Sequence, residues 1–192
     1  MIAILKYNAG NIKSVQEALI RLGYENIITD HPGELMKADK VIFPGVGEAG
    51  SAMLYIRERG LDKVIISLKQ PVLGICLGLQ LMCRHSDESD TQCLGIFDTN
   101  VRLFPPIDKV PHMGWNNFLT IKGDLYKGIS VNDDFYYVHS YYAEICSSTS
   151  ATCDYILPFS ASMQKENFYA TQFHPEKSAG AGEKILKNFL EL

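Results

Sequence analysis

The strongest constraint on the fold is a change of period in the first half of the chain, where short β-rich runs alternate with longer amphipathic ones. IAILKY is followed by NIKSVQEALIRLG, then ENIITD, a short polar stretch and KVIFPG. Side chains repeat every two residues along a strand and every 3.6 along a helix, so the alternation reads as βαβαβ. Helices between successive strands make those strands parallel, and an open parallel sheet carries its active residues at the strands' carboxyl ends. Gly23 and Gly60 each stand just past a helical pattern, where a C-terminal cap favours glycine. GSAMLYIRERG and LDKVIISLK lead to PVLGIC, a continuous apolar run suited to a central strand; LGLQLMCRHS then continues as a helix expected to include Cys83. From Gly95 onward, LGIFDTNVRLFP, HMGWNNFLT, FYYVHSYYAEI and NFYATQFH are strand-like with no convincing helix between them. GAGEKILKNFLEL returns to helical spacing, with Ile185, Leu186, Phe189 and Leu190 on one side to close against the sheet.

These patterns predict an α/β fold: a central, mostly parallel sheet flanked by helices, with a β-rich C-terminal half. A length of 192 residues suits one core, and no repeat or linker divides it, so a single domain over 1–192 is expected. The formal charge of −4, without a Lys/Arg cluster, argues against a nucleic-acid partner. No apolar stretch approaches the roughly 20 residues that cross a bilayer, and MIAILKYNAGN reads as a first strand rather than a signal segment. A cytoplasmic protein without membrane contact is expected. The five cysteines are odd in number and lack metal-ligand spacing, which disfavours a disulfide framework or a zinc site and leaves room for a working thiol.

Cys76 is the candidate. In Gly74-Ile75-Cys76-Leu77-Gly78 the glycines sit at i−2 and i+2, the spacing of a nucleophile elbow. A sharp strand-to-helix turn pushes the central residue outward, and the glycines remove side chains that would strike neighbouring backbone. The helix N-terminus favours thiolate, and the Leu77 amide is placed to donate to an oxyanion. The plain alternative is a buried strand whose cysteine merely packs, and packing is the expected role of Cys83, Cys93, Cys146 and Cys153. Near the other end, His174-Pro175-Glu176 closes a strand. Residues i and i+2 of an extended segment point the same way, Pro175 keeps His174 extended, and Glu176 can then orient the imidazole toward a nucleophile. Taken alone, His-Pro-Glu is equally a surface exit from a strand; paired with the cysteine elbow it reads as catalytic. His31, His85, His112 and His139 lack such a carboxylate and are expected to pack or face solvent. In Pro44-Gly45-Val46-Gly47-Glu48, glycines flanking one residue at a strand end let the backbone expose an amide, and neighbouring third and fourth strands would bring Val46 near Cys76.

PGVG, GICLGLQLM and FHPEKS, in this order, resemble the class I glutamine amidotransferase family, and KYNAGNIKSV, VPHMGWNN and FYYVHSYY extend the resemblance over nearly the whole chain. The resemblance implies a flavodoxin-like fold and a glutaminase that converts L-glutamine to glutamate and ammonia. It implies Cys76 as nucleophile, His174 as proton carrier, Glu176 as its orienter and the amides of Val46 and Leu77 as oxyanion donors. Gly45, Gly47, Gln80, Ser140 and Tyr141 would surround the glutamine. It further implies a heterodimer with a TIM-barrel cyclase that consumes the ammonia, with Asn11, Met113, Trp115, Asn116, Tyr136 and Lys177 toward that partner. Thioester chemistry of this kind calls for no metal or organic cofactor. The PGVG loop would hold the Val46 carbonyl, rather than its amide, toward the site until the partner signals. The rival readings are a different amidotransferase, a stand-alone γ-glutamyl hydrolase and a non-enzymatic subunit.

Overall fold

The computed structural model describes residues 1–192. The first half comprises β1 (Ile2–Leu5), α1 (Ile12–Arg21), β2 (Asn26–Thr29), α2 (Pro32–Lys37), β3 (Lys40–Phe43), α3 (Ala49–Glu58), α4 (Leu61–Ser67), β4 (Val72–Ile75) and α5 (Leu77–Met82). The strands then run in close succession: β5 (His85–Ser86), β6 (Thr91–Gln92), β7 (Asn100–Leu103), β8 (His112–Asn116), β9 (Thr120–Ile121), β10 (Phe135–His139), β11 (Tyr141–Ala143), β12 (Thr149–Tyr155), β13 (Leu157–Lys165) and β14 (Phe168–Thr171). Helix α6 (Ala179–Leu190) ends the fold.

The main sheet has eight strands in the order β2-β1-β3-β4-β14-β13-β12-β9. Pairing is parallel from β2 to β14 and antiparallel beyond it. Both faces of the parallel part are buried, and alternation along β1 shows how. Ala3 and Leu5 join a core with Leu35, Met53, Ile56, Leu61 and Leu79, so α2 to α5 cover that face. Ile2 and Ile4 join Val15, Leu19, Ile185, Leu186 and Phe189 on the other, under α1 and α6. Gly23 (φ 82°) and Gly60 (φ 64°) follow α1 and α3 in the left-handed conformation, as the capping reading requires. No helix is long and apolar enough to cross a membrane.

Three local features depart from the sequence reading. The polar stretch after β2 holds helix α2, begun by Pro32, whose fixed φ and missing N–H suit a first helical position. Helix α5 stops at Met82, so Cys83 is not helical: it is extended and its amide closes the last turn on the Gln80 carbonyl. The hairpin β12–β13 was hidden by its composition. Thr149, Ser150, Ser160 and Ser162 are buried on it, where hydroxyl pairs Thr149–Ser160 (2.7 Å) and Ser150–Ser162 (2.5 Å) satisfy groups that a hydrophobic pattern counts as exposed.

Strands β8 and β10 form a separate antiparallel ribbon, with His112 opposite His139. Both imidazoles are buried, and His112 Nδ1 lies 3.0 Å from His139 Nε2. The Tyr141 carbonyl, which can only accept, lies 2.8 Å from His139 Nδ1 and fixes the tautomers. His139 Nδ1 donates to that carbonyl, His112 Nδ1 donates to His139 Nε2, and His112 Nε2 accepts from Asn116 Nδ2 at 3.3 Å. Burial lowers the pKa of His112 to about 4. Burial first, then the charges of His112 and His174, outweigh the bond to Tyr141 and lower His139 to about 3. An unfolded histidine takes up its proton near pH 6.5, so between there and pH 4 the unfolded chain binds protons that this pair refuses. Stability therefore falls on acidification, at a limiting slope of about 1.4 kcal/mol per pH unit for each histidine. His174 is shifted in the opposite sense and is protonated in both states below that window's upper edge. Urea midpoints are expected to drop between pH 7 and pH 5, and to drop less in His139→Gln; equal drops in the two proteins would refute the account.

Candidate active site

Cys76 lies between β4 and α5 at φ 53° and ψ −106°, a conformation that L-residues rarely adopt. The surrounding backbone enforces it. A Cβ on Gly78 would lie 2.0 Å from the Phe43 carbonyl oxygen at the end of β3, and one on Gly74 would lie 3.0 Å from the carbonyl of Gly78. Close approach of backbone to backbone thus requires glycine at 78 and leaves little room for a side chain at 74. The Cys76 amide donates to the Thr171 carbonyl at 2.7 Å, carrying the β4–β14 pairing one residue past the end of β4.

That pairing delivers the C-terminal motif. Three residues beyond Thr171, His174 is extended (φ −100°, ψ 93°) and fully buried, with its own amide bonded to the Tyr136 carbonyl. Glu176 is not on the strand: Pro175–Lys177 form a 3-10 turn, and the carboxylate reaches back from that turn to His174 Nδ1 at 2.8 Å. The i, i+2 argument from an extended backbone therefore chose the right partner for a reason the structure replaces. Both side chains of the pair are sealed from solvent. Burial opposes a charged imidazole, but the adjacent Cys76 as thiolate and the Glu176 carboxylate outweigh it and raise His174 to about 10. Its Nε2 has no hydrogen-bond partner within the protein. With Nδ1 held by Glu176, Nε2 is the nitrogen left to exchange a proton with Cys76 or a ligand.

A cavity of about 250 Å³ opens beside the thiol, lined among others by Val46, Gly47, Gln80, Glu88, Ser140 and Tyr141. Of the residues expected around a glutamine, only Gly45 is absent from the lining. A Cβ there would lie 2.0 Å from the Tyr7 hydroxyl, which donates to the Pro44 carbonyl at 2.5 Å. The two amides expected to bind an oxyanion do not converge. Leu77 N donates to the Gly45 carbonyl at 3.2 Å, and because the Gly45–Val46 peptide is trans, the Val46 N–H points away from Leu77. The carbonyl turned toward the site is that of Gly45 and not, as expected, that of Val46, which accepts from Gly10 N at 2.9 Å.

Two of the expected partner-facing residues, both half-buried, are also tied within the chain. The Asn11 amide donates to Glu176 Oε1, and Asn116 Nδ2 donates to the Asp154 carbonyl (3.0 Å) besides His112. Met113 and Trp115 are exposed, at 59% and 55%, and Tyr136 lies opposite Trp115 with ring centroids 6.0 Å apart, which answers the core alternative for the only tryptophan. Lys177 is exposed on the 3-10 turn. Sequence reasoning missed Glu88 and Gln172. Glu88 lines the cavity and accepts from Ala49 N at 2.8 Å, with burial, then the Glu48 charge, raising its pKa against that bond. It lies on the irregular segment after α5, where no period marks a residue. Gln172 is buried with its amide nitrogen 3.6 Å from Cys76 Sγ; its place between strand β14 and His174 was its only signal.

The model of the family "Glutamine amidotransferase class-I" matches residues 4–192. The imidazole glycerol phosphate synthase subunit HisH of Bacteroides fragilis (strain YCH46) is 59% identical, aligned over 100% of this chain and 99% of that one. The protein of the same name from Escherichia coli (strain K12) is 46% identical over the same shares. The crystal structure of a glutamine amidotransferase from Thermotoga maritima shares the fold at a TM-score of 0.67 and 14% identity, covering 99% of this chain and 82% of the other. With the cysteine elbow, the buried His-Glu pair and full-length relatives in agreement, the chain belongs to the class I glutamine amidotransferase family, within its HisH line.

Proposed function

We propose that this chain, acting as one amidotransferase domain over residues 1–192, is the glutaminase subunit of an imidazole glycerol phosphate synthase in histidine biosynthesis. The observation that carries the reading is the buried His174–Glu176 pair presenting a free Nε2 beside Cys76 at the mouth of a cavity sized for an amino acid. The Cys76 thiolate, paired with protonated His174, attacks the side-chain amide carbon of L-glutamine. The tetrahedral oxyanion collapses as His174 gives its proton to the departing nitrogen, releasing ammonia and leaving a γ-glutamyl thioester. Water, losing a proton to His174, then attacks the thioester carbonyl; the sulfur leaves and glutamate is freed. Glu176, itself held by Asn11, keeps the imidazole oriented through both steps. Glu88, with its carboxylate at the cavity, suits the substrate's α-ammonium, and Gln80, Ser140 and Tyr141 suit its remaining polar groups.

The ammonia is handed to a TIM-barrel cyclase of the HisF type, bound as a heterodimer, which converts PRFAR to imidazole glycerol phosphate and AICAR. Exposed Met113 and Trp115, with half-buried Tyr136 beside them, support a docking face there. It lies on the ribbon whose strand β10 holds the His174 amide, so the partner sits over the triad. Five free cysteines and no disulfide suit the cytoplasm, where thiols stay reduced. The rival of a stand-alone hydrolase is weakened by the blocked oxyanion donors: a hydrolase needing no partner has no use for a Gly45 carbonyl seated on the Leu77 amide.

Ammonia release is expected to be slow for the chain alone and to rise by about two orders of magnitude or more with the nucleotide-liganded cyclase, while Cys76→Ala abolishes it in both settings. Equal rates with and without the liganded partner would dismiss the conditional site, and residual turnover in Cys76→Ala would dismiss the thioester. In calorimetric titrations with the cyclase, Trp115→Ala is expected to weaken association at least tenfold without altering glutamine-analogue labelling of Cys76 in the free chain. Unchanged affinity would remove this face from the interface.

A further inference from the structure

Gln172 takes no part in the proton transfers above, yet its side chain is enclosed completely and reaches the candidate nucleophile. Its Nε2 stands 3.6 Å from Cys76 Sγ, and its Oε1 accepts from Gln80 Nε2 at 3.1 Å. The same Gln80 nitrogen donates to the Tyr141 carbonyl at 3.0 Å.

The direction of this chain is fixed at its far end. A backbone carbonyl only accepts, so Gln80 must turn its NH2 group toward Tyr141. One hydrogen goes there and the other to Gln172, whose oxygen must face Gln80 and whose NH2 must face the sulfur. A reversed Gln172 would set NH2 against NH2 and press a carbonyl oxygen against a thiolate, losing two bonds in a site closed to water. The anchor is firm, because the Tyr141 carbonyl also receives His139 Nδ1 at 2.8 Å. The arrangement leaves Oε1 of Gln80 as the atom of that side chain free to meet a ligand in the cavity that Gln80 lines.

We infer that Gln172 is a positioning residue for the nucleophile, donating an amide hydrogen to the Cys76 sulfur and tying that sulfur to Gln80 at the glutamine-binding wall. The inference rests on Cys76 being the nucleophile. The donor steadies the thiolate in the elbow without supplying a proton that could be lost to it, since a carboxamide is not acidic at any pH the protein survives. His174 remains the only proton carrier, and the sulfur's geometry is set by a group that never changes charge. Coupling runs both ways: a ligand that draws on Gln80 Oε1 strengthens the same chain of polarised bonds that ends on the sulfur.

The test uses the full chain with Gln172→Met, which keeps the volume and removes the donor, and Gln172→Glu, which keeps the shape and adds negative charge. The readouts are the pH dependence of iodoacetamide labelling at Cys76, located by mass, and kcat and KM for glutamine with the liganded cyclase bound. The labelling midpoint is expected to move up by about one pH unit in Gln172→Met and further in Gln172→Glu, with kcat down about tenfold or more and KM within about threefold. Gln172→Glu differs in one terminal group and serves alone if Gln172→Met fails to fold. An unmoved labelling profile in a variant with the wild-type melting temperature overturns the inference and leaves the nucleophile reading intact. Failure of a glutamine analogue to label Cys76 in the wild type would instead overturn that reading itself.

Discussion

One parallel strand pairing, β4 against β14, holds the chemistry together. Thr171 pairs with Ile75, and the Cys76 amide extends the pairing to the Thr171 carbonyl before the two chains part, one turning into α5 and the other toward His174. Groups from distant parts of the sequence, Cys76 and His174, are thereby delivered to the same crevice at the carboxyl ends of the strands, where an open parallel sheet leaves room for a ligand. Side chains alternate faces along a strand, so a slip of one residue would turn Gln172 away from the sulfur and misplace His174. The apolar layers on both faces of β4 and β14 are what exclude that slip. Burial on this sheet is therefore not only a source of stability; it is the ruler that sets the distance between sulfur and imidazole.

Much of this frame was legible because it rests on periodicity and on glycine. The parallel strands β1 to β4, helix α1 and helix α6 are all long or apolar enough for their pattern to outweigh local noise. Gly74 and Gly78 mark the elbow because no other residue at 78 clears the Phe43 carbonyl and a side chain at 74 crowds the neighbouring turn. What stayed hidden was decided by pairing across the chain. The β12–β13 hairpin buries a ladder of hydroxyls that bond to each other, and a serine's burial cannot be read without its partner. Asn11 and Asn116 also brace the site, through bonds to Glu176 and His112 that sequence position alone does not reveal. Glu176 reaches His174 from a turn that its own Pro175 begins, so the pair was legible and its geometry was not.

The site is also braced by polarity. Two runs of hydrogen bonds end on the Tyr141 carbonyl, one from Asn116 through His112 and His139, the other joining Gln80 to Gln172 and the sulfur. Each member has one satisfactory orientation once that carbonyl is fixed, which makes the network stiff. Burial keeps both histidines neutral, so the stiffness does not depend on a proton that comes and goes near neutral pH. The first run begins on β8, the strand that carries Met113 and Trp115 outward, so the proposed docking face and the wall of the cavity belong to one rigid body.

In the proposed mechanism the part that must move is a single peptide group. Assembling two oxyanion donors requires the Gly45–Val46 peptide to turn over, which rotates ψ of Gly45 and φ of Val46. Gly45 accepts any ψ, but Val46, now at negative φ, would be driven toward positive φ, where a β-branched residue is strained. The bond from Leu77 N to the Gly45 carbonyl is lost, whereas the one from Gly10 N to the Val46 carbonyl belongs to the next peptide and survives. Strain of about 1 to 3 kcal/mol and a lost bond of about 1 kcal/mol together disfavour the turned state by about 2 to 4 kcal/mol, or about 30- to 900-fold. Flanking glycines therefore do not make the flip free: the valine between them sets its cost. A resting site closed by that margin spares glutamine when no acceptor waits, and a partner that binds only the turned state can recover no more than that factor from this peptide alone. Any stimulation beyond it must come from a second change, and His174, whose backbone amide donates to the Tyr136 carbonyl beneath the proposed docking face, is the residue placed to supply it.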